Sequence, residues 1–132
     1  MGGVLMASYR TSLSRVRGLG SAQAGTQHFV AQRVTAVANL VLLVFVISSV
    51  IRLAGEPLDV VRGYFASPVV AVLASLFALS ASYHMRIGMQ VIIEDYVHGE
   101  ASKLTLFLLN TFFAAAIALT SIIAIVKLSL GA

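Results

Sequence analysis

The sequence predicts an all-α membrane protein with three transmembrane helices. Of its 132 residues, 59% are hydrophobic and only 11% are charged, which is far from the balance of a water-soluble domain. Three stretches contain no Asp, Glu, Lys or Arg, and they lie between residues 33 and 52, 62 and 86, and 103 and 127. About 20 apolar residues cross a hydrocarbon core about 30 Å thick. We therefore expect spans at approximately residues 30–53, 66–94 and 103–128, with no room for an extramembrane domain.

Residues 1–27 are predicted to be a cytoplasmic segment that precedes the three-helix membrane anchor of residues 28–132. This segment contains three arginines and no acidic residue, and no apolar run follows them, so it does not resemble a secretory signal peptide. A short mitochondrial presequence has this composition, and so does a flank that obeys the positive-inside rule. We favour the flank and, because it is short, a bacterial cytoplasmic membrane over the mitochondrial inner membrane.

The distribution of basic residues predicts that the amino terminus faces the cytoplasm. One predicted side of the membrane has Arg10, Arg15, Arg17, Arg33, Arg86 and Lys103, and the other has Arg52, Arg62 and Lys127. The net charge of +4 mostly reflects this asymmetry. No basic run with interleaved aromatic residues indicates a nucleic-acid partner. The chain has no cysteine, which excludes disulfides and thiolate metal sites.

The first span carries polar residues on one side and at its start. Thr35 and Asn39 are four residues apart and share a helix face, which we expect to contact protein. His28, Gln32 and Arg33 concentrate hydrogen-bond donors at the membrane boundary if the helix already runs there. Arg33 either extends to lipid headgroups, as boundary arginines commonly do, or binds an anionic ligand group.

The second span is predicted to begin near Pro68, because proline is tolerated in the first turn of a helix. Tyr64 and Phe65 precede it as a predicted interfacial aromatic belt. Small residues along one face suit close helix packing, and they are Ala71, Ser75, Ala78 and Ser82.

His84 is the residue of this span that most clearly indicates chemistry. Gly88 follows it on the same helix face, so a flat macrocycle or a neighbouring backbone can approach beside the ring. A b-type haem needs axial imidazoles and no covalent attachment. The alternative is a histidine that hydrogen-bonds to a neighbouring helix.

The end of the second span is acidic, and Gly99 is predicted to terminate the helix there. Tyr96, next to Asp95, can donate a hydrogen bond to a carbonyl oxygen, which is the group that a quinone presents. The alternative is an ordinary aromatic-belt residue. In the third span, polar residues such as Asn110 are expected to hydrogen-bond across helices or to their own carbonyl groups.

Together these residues resemble the small hydrophobic membrane-anchor subunit of succinate dehydrogenase (respiratory complex II), in the type whose membrane domain contains haem b. The resemblance runs through the whole chain. One part that carries it is the start of the first span, from His28-Phe29 to Gln32-Arg33-Val34-Thr35-Ala36. The other is the stretch from His84 to Val97, in which a glycine follows the histidine by four residues and Asp-Tyr follows by eleven and twelve.

The resemblance implies a role for five residues. His84 would be an axial ligand of the haem iron, with the second imidazole coming from a companion cytochrome b anchor subunit. Arg33 and His28 would bind the haem propionates. Tyr96 would hydrogen-bond a ubiquinone carbonyl, with Asp95 placing or polarising that site.

The resemblance also implies partners and a place in metabolism. A flavoprotein subunit and an iron–sulfur subunit would dock on the cytoplasmic face and deliver electrons from succinate, an intermediate of the tricarboxylic acid cycle, to ubiquinone. The chain would have no catalytic residue of its own and would act as a subunit of an oxidoreductase complex embedded in the lipid bilayer.

Three alternatives remain. The first is the anchor of a quinol:fumarate reductase, which uses one site in the opposite direction. The second is a small haem-free adaptor protein whose polar residues only pair helices. The third, a proton-conducting subunit, is disfavoured because such a subunit needs acids within the bilayer, whereas all five acids here lie at boundaries or in loops.

Overall fold

The computed structural model describes residues 11–16 and 23–131. These residues form five helices, namely α1 (Ser12–Val16), α2 (Gln23–Leu53), α3 (Leu58–Phe65), α4 (Pro68–Tyr96) and α5 (Glu100–Ser129). Three of them, α2, α4 and α5, are long and apolar enough to cross a membrane. The predicted all-α architecture with three spans is thereby confirmed. Of the basic residues used to predict topology, Arg10 and Arg17 lie outside the described residues.

Helix α4 is the centre of the bundle, because it packs against both α2 and α5. Its contacts with α2 pair Thr35 with His84, whereas Ser49 pairs with Tyr64 before α4 begins, so α2 and α4 run antiparallel. The core is small and consists of Ile87, Ile93 and Ala114 among the apolar side chains. Ser82 of the predicted small-residue stripe is also buried, at 5% exposure. Small residues at such contacts let helix backbones approach closely in a membrane.

The first connection contains a short helix, α3, which the sequence analysis did not predict. Gly55 turns the chain after α2 with a φ of 82°, a conformation that glycine adopts without strain. The Tyr64 hydroxyl lies 2.7 Å from Ser49 Oγ, and Ser49 is buried. Tyr64 therefore fixes α3 against α2, in addition to any role in an aromatic belt.

The second connection differs from the prediction at Gly99. Helix α4 ends at Tyr96 because Val97 leaves the helical region, with φ of −100° and ψ of 116°. Gly99 has a φ of −78° and is the residue before α5, so it is not a left-handed terminator. Lys103 Nζ instead donates to the Glu94 carbonyl oxygen at 3.2 Å, which satisfies one of the free carbonyl groups at the end of α4.

Arg86 lies within α4, ten residues before the helix ends, and so inside the predicted span of residues 66–94. Its Nε donates to Thr111 Oγ1 at 3.2 Å, and Asn110 Nδ2 donates to the Arg86 carbonyl oxygen at 2.9 Å. The guanidinium is held there because a charge in a membrane span needs polar partners from a neighbouring helix. The expected interhelical hydrogen bonding of α5 is thus observed.

Candidate functional site

His84 makes a hydrogen bond between the first two spans. Its Nδ1 lies 3.0 Å from Thr35 Oγ1, and both residues are partly buried between α2 and α4. The Thr35 hydroxyl also lies 2.7 Å from the carbonyl oxygen of Ala31 and 3.2 Å from that of Gln32. One nitrogen of the His84 ring, Nδ1, therefore bonds to a neighbouring helix, as the alternative interpretation expected. This bond does not involve the other nitrogen, Nε2.

These contacts assign the hydrogens of the imidazole. A threonine hydroxyl has one hydrogen, and the shortest contact directs it to the Ala31 carbonyl, which cannot donate. With that hydrogen on the Ala31 carbonyl, Thr35 Oγ1 accepts from His84 in the tautomer whose hydrogen is on Nδ1, and this is the assignment we adopt. The lone pair of Nε2 is left free, and a metal-binding histidine commonly has this arrangement, with its other nitrogen donating to a neighbouring group.

A groove of about 430 Å³ lies beside His84 between α2 and α4. Apart from His84, its lining residues are mostly apolar, and they are Ala36, Asn39, Leu40, Leu43, Phe77, Ala81 and Met85. The Oδ1 atom of Asn39 is buried and has no hydrogen-bond partner among the described residues. An apolar groove with a few polar groups is the usual form of a cofactor site.

The surroundings of Gly88 are also open. A Cβ atom built on Gly88 would meet no atom within 4 Å, so nothing in the described part of the chain covers the helix one turn from His84. The described residues contain no group of three or more His, Asp or Glu side chains that could hold a metal ion. His84 can therefore give a metal one imidazole ligand, with open space beside it, and these surroundings fit a haem that takes one ligand from this helix.

Arg33 and His28 lie on the same helix as Thr35 but differ in their orientation. His28 precedes Thr35 by seven residues, or about two turns, and so shares its face. Arg33 precedes Thr35 by two residues, which is about 200° of rotation, and its Cζ lies 5.1 Å from the centre of the Phe29 ring. The structure thus brings His28, and not Arg33, to the side of α2 that contacts His84.

Asp95 and Tyr96 form a separate group at the end of α4. Both side chains are exposed, Tyr96 at 77%, and neither hydrogen-bonds to another described residue. Tyr96 follows His84 by 12 residues, or about 18 Å along the helix. Thr35 lies at the depth of His84, and His28 lies about 10 Å from Thr35 along α2. Because α2 and α4 are antiparallel, His28 is at a depth between those of His84 and Tyr96. The structure therefore has two candidate sites at different depths.

Thr35 is the residue of the site whose role the sequence analysis missed. Its spacing with Asn39 predicted a shared face toward protein, and that prediction is confirmed, since Thr35 contacts His84 and Asn39 lines the groove. The signal that could have identified Thr35 is the spacing of His28, Gln32, Thr35 and Asn39, which recur at helical intervals on one face.

Comparison with known proteins gives a consistent set of relatives. The profile of the family described as "Succinate dehydrogenase/Fumarate reductase transmembrane subunit" matches residues 7–126. A succinate dehydrogenase hydrophobic membrane anchor subunit of Paracoccus denitrificans is 32% identical over 124 residues, which cover 94% of this chain and 95% of that protein. Proteins of the same description from Rickettsia bellii and Rickettsia conorii are 22% and 26% identical, and cover 89% and 80% of this chain and 94% and 84% of their own lengths.

Proposed function

Because this chain belongs to the succinate dehydrogenase/fumarate reductase transmembrane subunit family, we propose that it anchors a succinate:quinone oxidoreductase in a bacterial inner membrane. It gives one axial ligand to a haem b and part of the site where ubiquinone is reduced. The observation that carries the haem assignment is the contact of Thr35 with His84 Nδ1, which leaves Nε2 free beside an open groove.

The residues that hold the haem are His84 and, on the side of α2 that contacts it, His28. A companion anchor subunit would supply the second imidazole and would lie over the open side of Gly88. A bound haem b supplies a one-electron redox centre there. Arg33 is a second candidate for the propionates, and it needs to leave the Phe29 ring to reach them.

The quinone site uses the end of α4. The Tyr96 hydroxyl donates a hydrogen bond to a carbonyl oxygen of the quinone, and this polarises the carbonyl as negative charge develops on its oxygen. Asp95 is adjacent and lies at the membrane boundary, where it can accept a hydrogen bond and exchange protons with water. The exposure of both side chains is what a site completed by other subunits requires.

The partners of this chain are a flavoprotein subunit, an iron–sulfur subunit and a companion cytochrome b anchor. The soluble pair oxidises succinate and delivers electrons at the end of the bundle where Tyr96 lies. The chain itself has no catalytic role in succinate oxidation. It fixes the position of the soluble subunits relative to the quinone pool, and the orientation with the amino terminus in the cytoplasm follows from the basic residues.

The proposed quinone site is tested with Tyr96→Phe in the purified complex. The variant removes only the hydroxyl, so we expect succinate:ubiquinone reductase activity to fall about tenfold or more, which corresponds to one charge-assisted hydrogen bond. Succinate oxidation with a soluble dye as acceptor stays unchanged, because electrons then leave before the quinone site.

The matched control for Tyr96 is Tyr83→Phe. Tyr83 is exposed on the same helix, at 46%, and lies away from the boundary. Equal quinone reductase rates for wild type and Tyr96→Phe would exclude the proposed hydrogen bond. The family description covers both succinate dehydrogenases and fumarate reductases. The rates of succinate oxidation and of fumarate reduction by the same complex show which reaction it favours.

A further inference from the structure

A second cavity lies at the end of the bundle opposite Tyr96. It has a volume of about 630 Å³, is open to the surroundings on one side, and is lined by the end of α2, by α3 and by the start of α4. Its lining residues are Arg52, Leu53, Glu56, Val60, Gly63, Tyr64, Ser67 and Val70. The family assignment gives no role to this cavity, and its chemistry does not depend on the proposed haem and quinone sites.

The cation of the cavity, Arg52, is exposed and stacks on Tyr64. Arg52 Cζ lies 5.5 Å from the centre of the Tyr64 ring, a distance at which the guanidinium is attracted to the ring face. Tyr64 is itself fixed, because its hydroxyl is 2.7 Å from Ser49 Oγ, and Ser49 already donates to the Phe45 carbonyl oxygen at 2.8 Å. The stack on Tyr64 thus places the Arg52 guanidinium beside the cavity.

The cavity also contains a carboxylate that does not neutralise the arginine. Glu56 lines the same space, yet its carboxylate and the Arg52 guanidinium form no ion pair or hydrogen bond with each other or with another side chain of the described residues. The cavity therefore presents one positive and one negative group at separate points. Its complementary ligand carries one charge of each sign and has no net charge.

The remaining lining includes apolar side chains. Leu53 and Val70 belong to the membrane spans and offer an apolar surface. Gly63 leaves the cavity open on α3, since a Cβ atom built there would meet no atom within 4 Å. A ligand in this space has its charged groups toward Arg52 and Glu56 and its apolar part along the spans.

We propose that this cavity binds the headgroup of a zwitterionic phospholipid with a primary ammonium, phosphatidylethanolamine. The phosphate pairs with Arg52 and the ammonium donates to Glu56, while the glycerol region lies against Leu53 and Val70. A headgroup with net negative charge would bring a second anion beside Glu56, and a neutral quinone would leave both charges of the cavity unpaired at the membrane boundary.

The test measures which lipid stays bound to the complex. The purified complex is placed in nanodiscs of equal parts phosphatidylethanolamine, phosphatidylcholine and phosphatidylglycerol, extracted in mild detergent, and its retained lipids are counted by native mass spectrometry. We expect phosphatidylethanolamine to be retained about tenfold over phosphatidylcholine, whose quaternary ammonium cannot donate to Glu56. Glu56→Gln removes this preference, and Arg52→Gln and Gly63→Leu reduce retention of the lipid itself.

Asp59→Asn is the control, because Asp59 is an acid of α3 that does not line the cavity, and it should retain lipid as wild type does. The mass of the intact complex in the same native spectra verifies that each variant complex is assembled. Lipid retention that is equal in wild type, Arg52→Gln and Gly63→Leu would overturn the proposal. So would retention of phosphatidylglycerol in place of phosphatidylethanolamine by the wild-type complex.

Discussion

At the scale of single residues, the hydrogen bond from His84 to Thr35 determines what the imidazole can do. Thr35 Oγ1 lies 3.0 Å from Nδ1, so one ring nitrogen is engaged within the chain, and His84 also lines the groove. A neighbouring acceptor of this kind fixes the orientation of a ligating histidine and makes it a more basic ligand. Thr35 is therefore a positioning residue for the proposed haem ligand.

Thr35→Val should raise the midpoint potential of the proposed haem. The valine has the same shape but cannot accept from Nδ1, so the imidazole becomes a weaker donor and the oxidised iron is less stabilised. The loss of about 0.5–1.5 kcal/mol corresponds to roughly 20–60 mV for one electron, which a redox titration of the b-type band measures.

Thr35→Ser and Thr105→Val are the controls for this prediction. Serine restores the hydroxyl and should return the potential toward that of wild type. Thr105 is exposed and donates only to the Ala101 carbonyl oxygen, at 2.8 Å, so its substitution should have no effect. An unchanged potential in Thr35→Val would mean that this hydrogen bond does not act on the haem.

Part of the site could be predicted from the sequence because its residues lie close together in one helix. His84, Gly88, Asp95 and Tyr96 have a fixed relation in any α-helix. The partner of His84 could not be predicted in this way, because it depends on the register between α2 and α4. That register is set by the path of residues 54–67, through the Gly55 turn and α3.

At the scale of helices, contacts between α4 and α5 depend on small and polar residues. Ala114 is 4% exposed, and its neighbour Ala115 is exposed. Asn110 also joins the helices by donating to the Arg86 carbonyl oxygen. In a membrane such close packing replaces much of the hydrophobic effect that holds soluble helices together.

Ala114→Leu should destabilise the complex. The larger side chain has no space between α4 and α5, and overpacking of this kind costs about 1–3 kcal/mol. The thermal midpoint of the detergent-solubilised complex should fall, whereas Ala115→Leu, one position away and exposed, should leave it near the wild-type value. A similar fall in both variants would contradict the packing that the structure describes.

The spans could be predicted from the sequence, whereas α3 could not be identified by the same signal. Long runs without charged residues locate α2, α4 and α5, because burying a charge in lipid is costly. Helix α3 has eight residues and includes Asp59 and Arg62, so it lacks such a run. Its fixed position depends on the contact of Tyr64 with Ser49, which joins residues 15 apart in sequence.

At the scale of the whole molecule, the chain is a thin bundle with most of its large apolar side chains exposed. Such a surface is suited to lipid and to partner helices, since the described residues enclose only a small core. The ends of the bundle differ, with His28 and Tyr96 toward one end and the cavity of Arg52 and Glu56 at the other. The orientation of the chain therefore decides which of these sites lies on the cytoplasmic side of the membrane.

The predicted orientation can be tested by labelling single cysteines, because the chain has none of its own. Ser67→Cys and Ser102→Cys introduce thiols at exposed positions before α4 and near the start of α5. A membrane-impermeant maleimide should label Ser67→Cys in cells whose inner membrane is intact, and Ser102→Cys only after that membrane is opened. The reverse pattern would show that the positive-inside count, which included Arg86, predicts the wrong orientation.

The proposed binding of a haem iron by His84 Nε2 is tested most directly by a reduced-minus-oxidised optical spectrum of the purified complex. Wild type is compared with His84→Ala and with His98→Ala, a control that removes an exposed histidine outside the helices. We expect a b-type band in wild type and His98→Ala that is lost or shifted in His84→Ala. An unchanged band in His84→Ala, or no band in any of the three complexes, would show that His84 is a histidine that only joins two helices.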